Sequence, residues 1–216
     1  MTPTTDAIRL VNDTDPHPWW LRYWWRLSRV ARRPLNRWRF RSFGAKSRID
    51  WPSFVVGGKG IEVGAKVIIG RAARLEAHFV HEGGVRIKIG DGCRLAPHVH
   101  IGAAQLVDIG PRCGIGSFTW ITDHDHDISN PLEDVVTNRR VRVAPTVLEE
   151  GVYVGERVAI LRGVRIGRGS VIGTNSVVTK DVPEYCVAVG VPARVVSRFD
   201  VESSTWCRVA ANRLEG

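Results

Sequence analysis

The chain has 216 residues, of which 44% are hydrophobic, so it is long enough for one principal domain with a buried core and a modest appendage. Its 31 Lys and Arg residues against 22 Asp and Glu give a net charge of +9. It has no apolar run long enough to cross a bilayer and no charged, apolar leader, which argues against a transmembrane or secreted protein. Four cysteines without metal-type CxxC spacing argue against a disulfide framework and favour a reducing, cytoplasmic compartment.

Residues 1–54 form the first predicted unit, a basic arm rich in tryptophan. Between Asp15 and Asp50 the sequence has ten Arg or Lys residues and no acidic residue. Aromatic and apolar residues recur in this arm at helical spacing: Trp19, Trp20, Tyr23, Trp24, Leu27 and Val30. A neighbouring stripe is basic: Arg22, Arg26, Arg29 and Arg33. The pattern predicts an amphipathic helix that ends near Pro34.

Three interpretations of the arm are open on sequence alone. Tryptophan beside arginine suits the surface of a membrane with anionic lipids, so residues 19–41 are a candidate peripheral membrane contact. The same residues would also suit packing on the flank of the main domain or on a neighbouring subunit. The third interpretation is nucleic-acid binding, which we do not expect because nothing else in the chain supports it.

Residues 55–199 form the second predicted unit, which repeats every six residues. Aliphatic residues mark the repeat: Val63, Ile69, Leu75, Ile89, Leu95, Ile101, Ile109, Ile115 and Ile121, then, after a break, Leu148, Val154, Ile160, Ile166, Ile172 and Val178. The next position is often glycine, and the fourth position after the aliphatic is small or β-branched, which predicts that Cys93 and Cys113 are buried thiols.

This six-residue period decides the predicted fold class. A helix would repeat at about 3.6 residues, and a β-sandwich would place a turn roughly every 8–12 residues. A six-residue unit supplies one short strand and one turn, and three units close a triangular coil with the aliphatic side chains inside. The hexads therefore predict an all-β protein, a left-handed parallel β-helix with an N-terminal helical arm.

The repeat breaks once, at a cluster of ionisable residues that follows a predicted strand. The cluster is Asp123, His124, Asp125, His126 and Asp127. A carboxylate next to an imidazole fixes its tautomer and raises its basicity, so the cluster predicts a general base for a hydroxyl or an amine. The alternatives are a metal site, which this spacing serves poorly, and a polar surface turn. The rest of the break, up to residue 147, is too long for a neutral connector, which favours a binding loop.

After the break the repeat resumes and ends before Pro183, which cannot continue it. Residues 184–199 are predicted to form a closing loop and a short strand. Residues 200–216 are predicted to form a short C-terminal helix, with Trp206 and Val209 packed or at an interface.

The hexads, the histidine-bearing break and two C-terminal motifs together resemble the hexapeptide-repeat acyltransferases. The motifs are SVVTKDVP, from Ser176 to Pro183, and GVPAR, from Gly190 to Arg194. The resemblance covers about residues 55–198 and is nearest to the maltose and galactoside O-acetyltransferases and the O-acetyltransferases of polysaccharides. It implies an acyl-CoA, here acetyl-CoA, as co-substrate, no metal, and a homotrimer with sites between adjacent subunits.

The resemblance also implies roles for individual residues. The family's catalytic histidine falls on His126, counted from the hexad at Ile115, and His124 is the alternative. Asp123 and Asp125 are the candidate carboxylates that orient it. The implied CoA-binding residues are Gly155, Thr174, Thr179, Lys180 and Arg194, where a solvated face is the alternative for the last two. The implied acceptor-binding residues are Glu82, His98 and Tyr153, where the family more often has Asp, Asn and Trp.

These observations favour an acyl-CoA-dependent O-acyltransferase that acetylates a hydroxyl of a sugar, polysaccharide or glycolipid. N-acetylation of an amino sugar or antibiotic is the first alternative, because both reactions use the same kind of base. The second is a non-catalytic β-helix scaffold that binds a membrane or a partner through the arm. The basic arm favours a location in the cytoplasm, at the inner face of the cell membrane.

Overall fold

The computed structural model of the protein describes residues 36, 38–134, 137 and 139–209. The helix predicted between Trp19 and Pro34 and the last residues of the chain, 210–216, lie outside this part. Within the described residues, no helix is both long and apolar enough to cross a membrane.

The described chain winds through six triangular coils, each with one short strand on each of three faces. In chain order the strands are β1 (Ser42–Phe43), β2 (Arg48–Ile49), β3 (Phe54–Val56); β4 (Ile61–Val63), β5 (Ile68–Ile69), β6 (Arg74–Ala77); β7 (Ile87–Ile89), β8 (Arg94–Leu95), β9 (His100–Ala103); β10 (Val107–Ile109), β11 (Gly114–Ile115), β12 (Trp120–Thr122); β15 (Thr146–Leu148), β16 (Tyr153–Val154), β17 (Ala159–Ile160); and β18 (Arg165–Ile166), β19 (Val171–Ile172), β20 (Val177–Val178). Two 3-10 turns, Gly58–Gly60 and Val80–Glu82, precede coils two and three.

The strands stack in parallel into three sheets, which we call faces A, B and C. Face A begins with β1, face B with β2 and face C with β3, and each coil adds the next strand to each face. One column of buried apolar side chains fills the interior from Phe40 to Ala188, and it includes the thiols of Cys93 and Cys113. The predictions of a left-handed parallel β-helix and of two buried thiols are confirmed.

The β-helix begins earlier than the sequence indicated. We placed its start at residue 55, but β1 begins at Ser42 and pairs with β4. Phe43, Ile49 and Val55 lie six residues apart and pack against the core, so they continue the hexads backwards. The hexads did not predict this first coil, because Phe43 stands where the repeat has an aliphatic residue and basic residues surround it.

The break in the repeat forms a separate antiparallel hairpin between coils four and five. Its strands are β13 (His124–His126) and β14 (Val141–Val143), and His124 pairs with Val143. The hairpin is tied to coil five by an ion pair of 2.5 Å between Asp125 and Arg162. The predicted loop therefore leaves the β-helix at the end of β12 and carries the ionisable cluster with it.

The predicted C-terminal helix is wrong for the residues that the structure describes. After the last coil, β21 (Cys186–Gly190) joins face B, and β22 (Ala193–Asp200) and β23 (Thr205–Arg208) follow it as antiparallel strands. Asp200 accepts hydrogen bonds from the backbone N–H of Glu202 and the hydroxyl of Ser203, which closes a tight turn. This turn reverses the chain, and the rings of Phe199 and Trp206 meet at 5.3 Å across the two strands.

Candidate active site

One outward-facing column of side chains on face C leads to the ionisable cluster. Phe54, Arg74, His100 and Trp120 are in register on neighbouring strands. The last three each precede an inward-facing aliphatic, and because side chains alternate along a strand, all of them point outward. The imidazole of His100 and the indole of Trp120 lie 6.4 Å apart at an angle of 27°.

Asp123 is a fully buried carboxylate directly after this column. Its two oxygens accept the backbone N–H groups of Ala104, Gln105 and Leu106, at 2.8, 2.7 and 2.5 Å. Burial by itself raises the pKa of Asp123, but the hydrogen bonds from His124, Ala104 and Gln105 outweigh it and hold the pKa below its usual range. Asp123 is therefore ionised at neutral pH.

The ionised Asp123 orients the imidazole of His124. The Nδ1 of His124 lies 2.9 Å from Oδ1 of Asp123 and 3.2 Å from the hydroxyl of Thr122. Since an ionised carboxylate only accepts hydrogen bonds, Nδ1 carries the ring proton and Nε2 has a free lone pair. Nε2 is therefore the ring nitrogen that is left to accept a hydrogen bond or a proton. The side chain of His124 is 21% exposed, which leaves it accessible.

A second imidazole packs against His124. The rings of His78 and His124 meet edge to face with their centres 5.3 Å apart. Burial lowers the pKa of His78, and the neighbouring His124 lowers it further. His78 is therefore neutral at neutral pH and adds no fixed positive charge beside the candidate base.

A second carboxylate–imidazole pair lies on the same face. Glu76, which is almost completely buried, is 2.9 Å from Nε2 of His100 and 2.7 Å from the guanidinium of Arg74. Burial raises the pKa of Glu76, but the hydrogen bonds from Arg74 and His100 outweigh it and lower the pKa overall. An ionised Glu76 therefore fixes the position of the His100 ring.

Gly102 separates the two imidazoles. A Cβ at this position would lie 3.4 Å from Cε1 of His124 and 3.9 Å from Nε2 of His100. The absence of a side chain leaves a notch that both rings border, with Trp120 on the next strand of the face. A Cβ would make ordinary van der Waals contacts with both rings, so the notch is about the size of a methyl group.

Not all of the predicted catalytic residues lie at this notch. Asp123 and His124 do, but His126 is exposed on the hairpin, and its ring has no hydrogen-bond partner among the described residues. Asp125 pairs with Arg162 and does not contact His124. Counting hexads put the base at His126 because the count continues past β12, whereas the chain leaves the β-helix there.

The predicted acceptor residues are dispersed. Glu82 follows β6 in a 3-10 turn and pairs with Arg86 at 3.4 Å. His98 lies in the corner between faces B and C and stacks on Phe118 at 4.6 Å. Tyr153 lies on face B and is 57% exposed, whereas His124 follows face C. Within one chain, Tyr153 and His98 therefore do not border the notch.

The predicted CoA-binding residues lie towards the C-terminal end of the β-helix. Gly155 stacks beneath Thr174, because a Cβ on Gly155 would lie 2.7 Å from the backbone nitrogen of Thr174. Thr179 and Lys180 are exposed directly after β20 on face C, and Arg194 is exposed on β22 of face B. Their role in CoA binding stays a prediction.

Sequence reasoning missed several residues of the notch. They are Glu76, His78, His100, Gly102 and Trp120. The sequence does contain a signal for His100 and Trp120. Arg74, His100 and Trp120 each stand directly before an inward-facing aliphatic, so aligning whole coils rather than single hexads would have stacked them.

The notch supports acid–base chemistry. It combines an imidazole that Asp123 orients with a second imidazole that Glu76 holds in place. Among the described residues, no group of three or more His, Cys, Asp and Glu is arranged to hold a metal ion.

Comparisons with known proteins connect this geometry to an activity. The family model described as "Bacterial transferase hexapeptide (six repeats)" matches residues 145–180. The putative lipopolysaccharide biosynthesis O-acetyl transferase WbbJ of Escherichia coli K12 is 32% identical over 164 residues, which are 73% of this chain and 82% of that protein. The probable acetyltransferase Rv3034c of Mycobacterium tuberculosis is 31% identical over 92% of this chain, which spans only 63% of that relative.

Solved structures share the architecture. The hexapeptide-repeat acetyltransferase VCA0836 of Vibrio cholerae, in complex with acetyl-CoA, is 26% identical with a TM-score of 0.59, covering 79% of this chain and 78% of that one. AntD, an N-acyltransferase of Bacillus cereus solved with dTDP and CoA, is 20% identical with a TM-score of 0.66, covering 79% and 90%. A galactoside acetyltransferase in complex with CoA is 24% identical with a TM-score of 0.59, covering 81% and 72%. The likeness to the last two concerns the fold alone.

Proposed function

The chain belongs to the hexapeptide-repeat acetyltransferases, and from that premise we propose that it transfers an acetyl group from acetyl-CoA to a hydroxyl group of a sugar or glycan. The observation that carries this proposal is the hydrogen-bonded pair of buried Asp123 and partly exposed His124, whose ring borders the Gly102 notch through Cε1. A neutral, oriented imidazole beside a small opening is what the deprotonation of an acceptor hydroxyl requires.

In the proposed reaction His124 is the general base, not His126. Its Nε2 removes the proton of the acceptor hydroxyl while the hydroxyl oxygen attacks the thioester carbonyl of acetyl-CoA. The tetrahedral intermediate collapses with cleavage of the carbon–sulfur bond, and the imidazolium returns the proton to the departing thiolate of CoA. Asp123 stabilises the imidazolium that forms between the two steps. General base catalysis of this kind contributes roughly 10²–10⁴-fold to the rate.

The other side of the notch supports an acceptor with several hydroxyl groups. His100, held by Glu76, is placed to hydrogen-bond a second hydroxyl next to the one that reacts. Trp120 is 43% exposed, and its ring provides an apolar surface of the kind on which the faces of sugars pack. The printed name of the WbbJ relative, an O-acetyl transferase of lipopolysaccharide biosynthesis, agrees with this substrate class.

N-acylation of an amino sugar is the second candidate function. The fold of the chain resembles that of AntD, an N-acyltransferase. The same base would remove a proton from an attacking amine, so a site with one free imidazole serves both reactions.

Three further features belong to the proposal. Acetyl-CoA lies along the C-terminal coils, near Gly155, Thr174 and Thr179, with Lys180 and Arg194 available for its phosphates because charged donors suit phosphate oxygens. The protein is a homotrimer with sites between subunits. It works in the cytoplasm.

The function is tested by calorimetric titration with acetyl-CoA and by thiol release in the presence of a panel of sugars and glycolipids. We expect His124→Ala to bind acetyl-CoA normally and to lose roughly 10²–10⁴-fold in kcat. His126→Ala is the matched control, and it should retain activity because its ring is exposed on the hairpin. Lys180→Ala should weaken acetyl-CoA binding.

Two outcomes would contradict the proposal. Wild-type protein that does not bind acetyl-CoA would remove the proposed co-substrate. Full activity in His124→Ala together with loss of activity in His126→Ala would move the base to the hairpin.

A further inference from the structure

The N-terminal end of the β-helix presents an exposed aromatic and basic surface. Here β1, β2 and β3 are the terminal strands of the three faces, so no further coil covers them in the described chain. The side chain of Phe40 closes the core at this end. Around it, Trp38 is 74% exposed and Phe54 is 55% exposed. We call Trp38, Arg39, Lys46, Phe54 and Lys59 the N-terminal rim.

The cations of the N-terminal rim are not neutralised. Arg39 donates to the backbone carbonyl of Val55, and Lys59 donates to that of Trp38 and lies 5.8 Å from the indole ring. Neither these two residues nor Lys46 has an acidic partner among the described residues. By contrast, Arg41 next to them pairs with Glu62 at 3.3 Å. The rim therefore combines exposed aromatic rings with unpaired positive charge.

The sequence extends this composition into the chain that precedes the rim. Between residues 16 and 49 there are ten Arg or Lys residues and no Asp or Glu, and six of the eight tryptophans lie between residues 19 and 51. The charge and the aromatic residues are thus concentrated in one stretch of the sequence. The rim is the part of this segment whose position the structure describes.

We propose that the N-terminal rim docks on a bilayer of anionic phospholipids. Tryptophan rings partition to the level of the lipid headgroups, and lysine and arginine next to them meet the phosphates. The strength of such binding grows with the apolar area that enters the headgroup region and with the attraction of cations to anionic lipids. The complementarity of charge selects an anionic surface over a neutral one.

The proposed orientation places the active site close to the lipid. The column on face C runs from Phe54 through Arg74 to His100 and Trp120. Neighbouring strands are about 4.8 Å apart, so His100 lies roughly 10 Å and Trp120 roughly 15 Å above Phe54. The first sugar units of a glycan attached to a membrane lipid reach this distance from the bilayer. If the proposed function holds, the acceptor is therefore such a lipid-linked glycan.

Docking is tested by co-sedimentation of the full chain with vesicles of phosphatidylglycerol and phosphatidylcholine, against vesicles of phosphatidylcholine alone. The test variant is Trp38→Ala combined with Lys46→Glu. The matched control is Trp206→Ala combined with Arg198→Glu, which removes one exposed tryptophan and reverses one cation on the C-terminal hairpin. We expect the wild-type protein to bind only to the anionic vesicles, and to bind them more weakly at high salt. Binding should be about tenfold or more weaker in the test variant and unchanged in the control.

Several results would overturn the proposal. The first three are an absence of binding to anionic vesicles, equal binding to neutral vesicles, and equal losses of binding in both variants. The other two are measured without lipid. They are saturable binding of RNA, or self-association of the protein, that the test variant abolishes. Acetyl-CoA titration of the same samples separates this proposal from the proposed function. Acetyl-CoA binding without vesicle binding overturns docking alone, and vesicle binding without acetyl-CoA binding overturns the function alone.

Discussion

At the scale of single residues, the role of Asp123 depends on the three backbone N–H groups that surround it. The sequence shows only that it is one of three aspartates in the cluster. In the structure it is the one that is fully buried, with both oxygens occupied, whereas Asp125 is paired with Arg162 at the surface. Two aspartates only two positions apart therefore lie in different environments, because one is buried against the β-helix and the other remains on the hairpin.

We predict that Asp123→Asn lowers both activity and stability. The amide no longer stabilises the imidazolium of His124, so kcat should fall about 10²-fold or more, with little change in the KM for acetyl-CoA. The amide nitrogen also faces backbone N–H donors, which should reduce the free energy of unfolding by about 1–3 kcal/mol. Kinetics and urea unfolding measure the two effects. Asp125→Asn is the control, and equal effects from both substitutions would contradict the assignment.

The lowered pKa of Asp123 also gives a prediction about stability and pH. A carboxyl group whose pKa is lower in the folded state contributes stability above its unfolded pKa of about 3.9, and this contribution is lost as the pH falls through the folded value. Wild-type protein should therefore lose stability below about pH 4, and Asp123→Asn should lose less over the same interval. Parallel unfolding curves for the two proteins would show that Asp123 does not contribute.

At the scale of the elements, the corners of the coils depend on residues without side chains. A Cβ on Gly116 would lie 2.5 Å from the backbone carbonyl group of Gly155 in the next coil. The backbone at Gly155 cannot move away from such a Cβ without disturbing the pairing of β11 with β16. Where glycine follows an aliphatic of the repeat, as at Gly116, it is therefore a requirement of the stacking distance between coils.

We predict that Gly116→Ala destabilises the protein by about 1–3 kcal/mol, the usual cost of an overpacked position. Thermal unfolding measures the change. Ser117→Ala, at the adjacent position of the same corner, is the control and should leave the midpoint nearly unchanged. A Gly116→Ala protein as stable as the wild type would mean that neighbouring coils separate easily at this corner.

The element scale also shows where periodicity is informative. Six-residue spacing predicted the strands from coil two onwards, because each inward-facing position accepts only an aliphatic or a small side chain. It missed the first coil, where Phe43 and Ile49 stand among basic residues, and it gave no register between β12 and β15, where the hairpin leaves the β-helix. The C-terminal hairpin was missed for a different reason. Its turn depends on local hydrogen bonds such as those of Asp200, and the spacing of hydrophobic residues does not predict such bonds.

At the scale of the whole molecule, the exposed aromatic residues favour association between subunits. Tyr153, which the resemblance assigns to the acceptor site, is exposed on face B, whereas His124 adjoins face C. Only a neighbouring subunit would bring a tyrosine of face B to a histidine beside face C. The separation of these residues within one chain is therefore consistent with sites between subunits.

We predict a homotrimer in solution. Light scattering coupled to size-exclusion chromatography should give a mass three times that of one chain. Tyr153→Ala should then raise the KM for the acceptor while the mass stays unchanged. A monomeric mass for active wild-type protein would contradict sites shared between subunits.

The sequence by itself determined the β-helix, the position of its break and the cluster of carboxylates and imidazoles at that break, because a six-residue period and adjacent residue types are local patterns. Only the tertiary structure decided that His124 rather than His126 adjoins a buried carboxylate, and that Glu76, His100, Gly102 and Trp120 surround it. These residues come from three successive coils, and their distances are set by strand register rather than by sequence separation. Spacing along the chain cannot report a contact that exists only when coils stack.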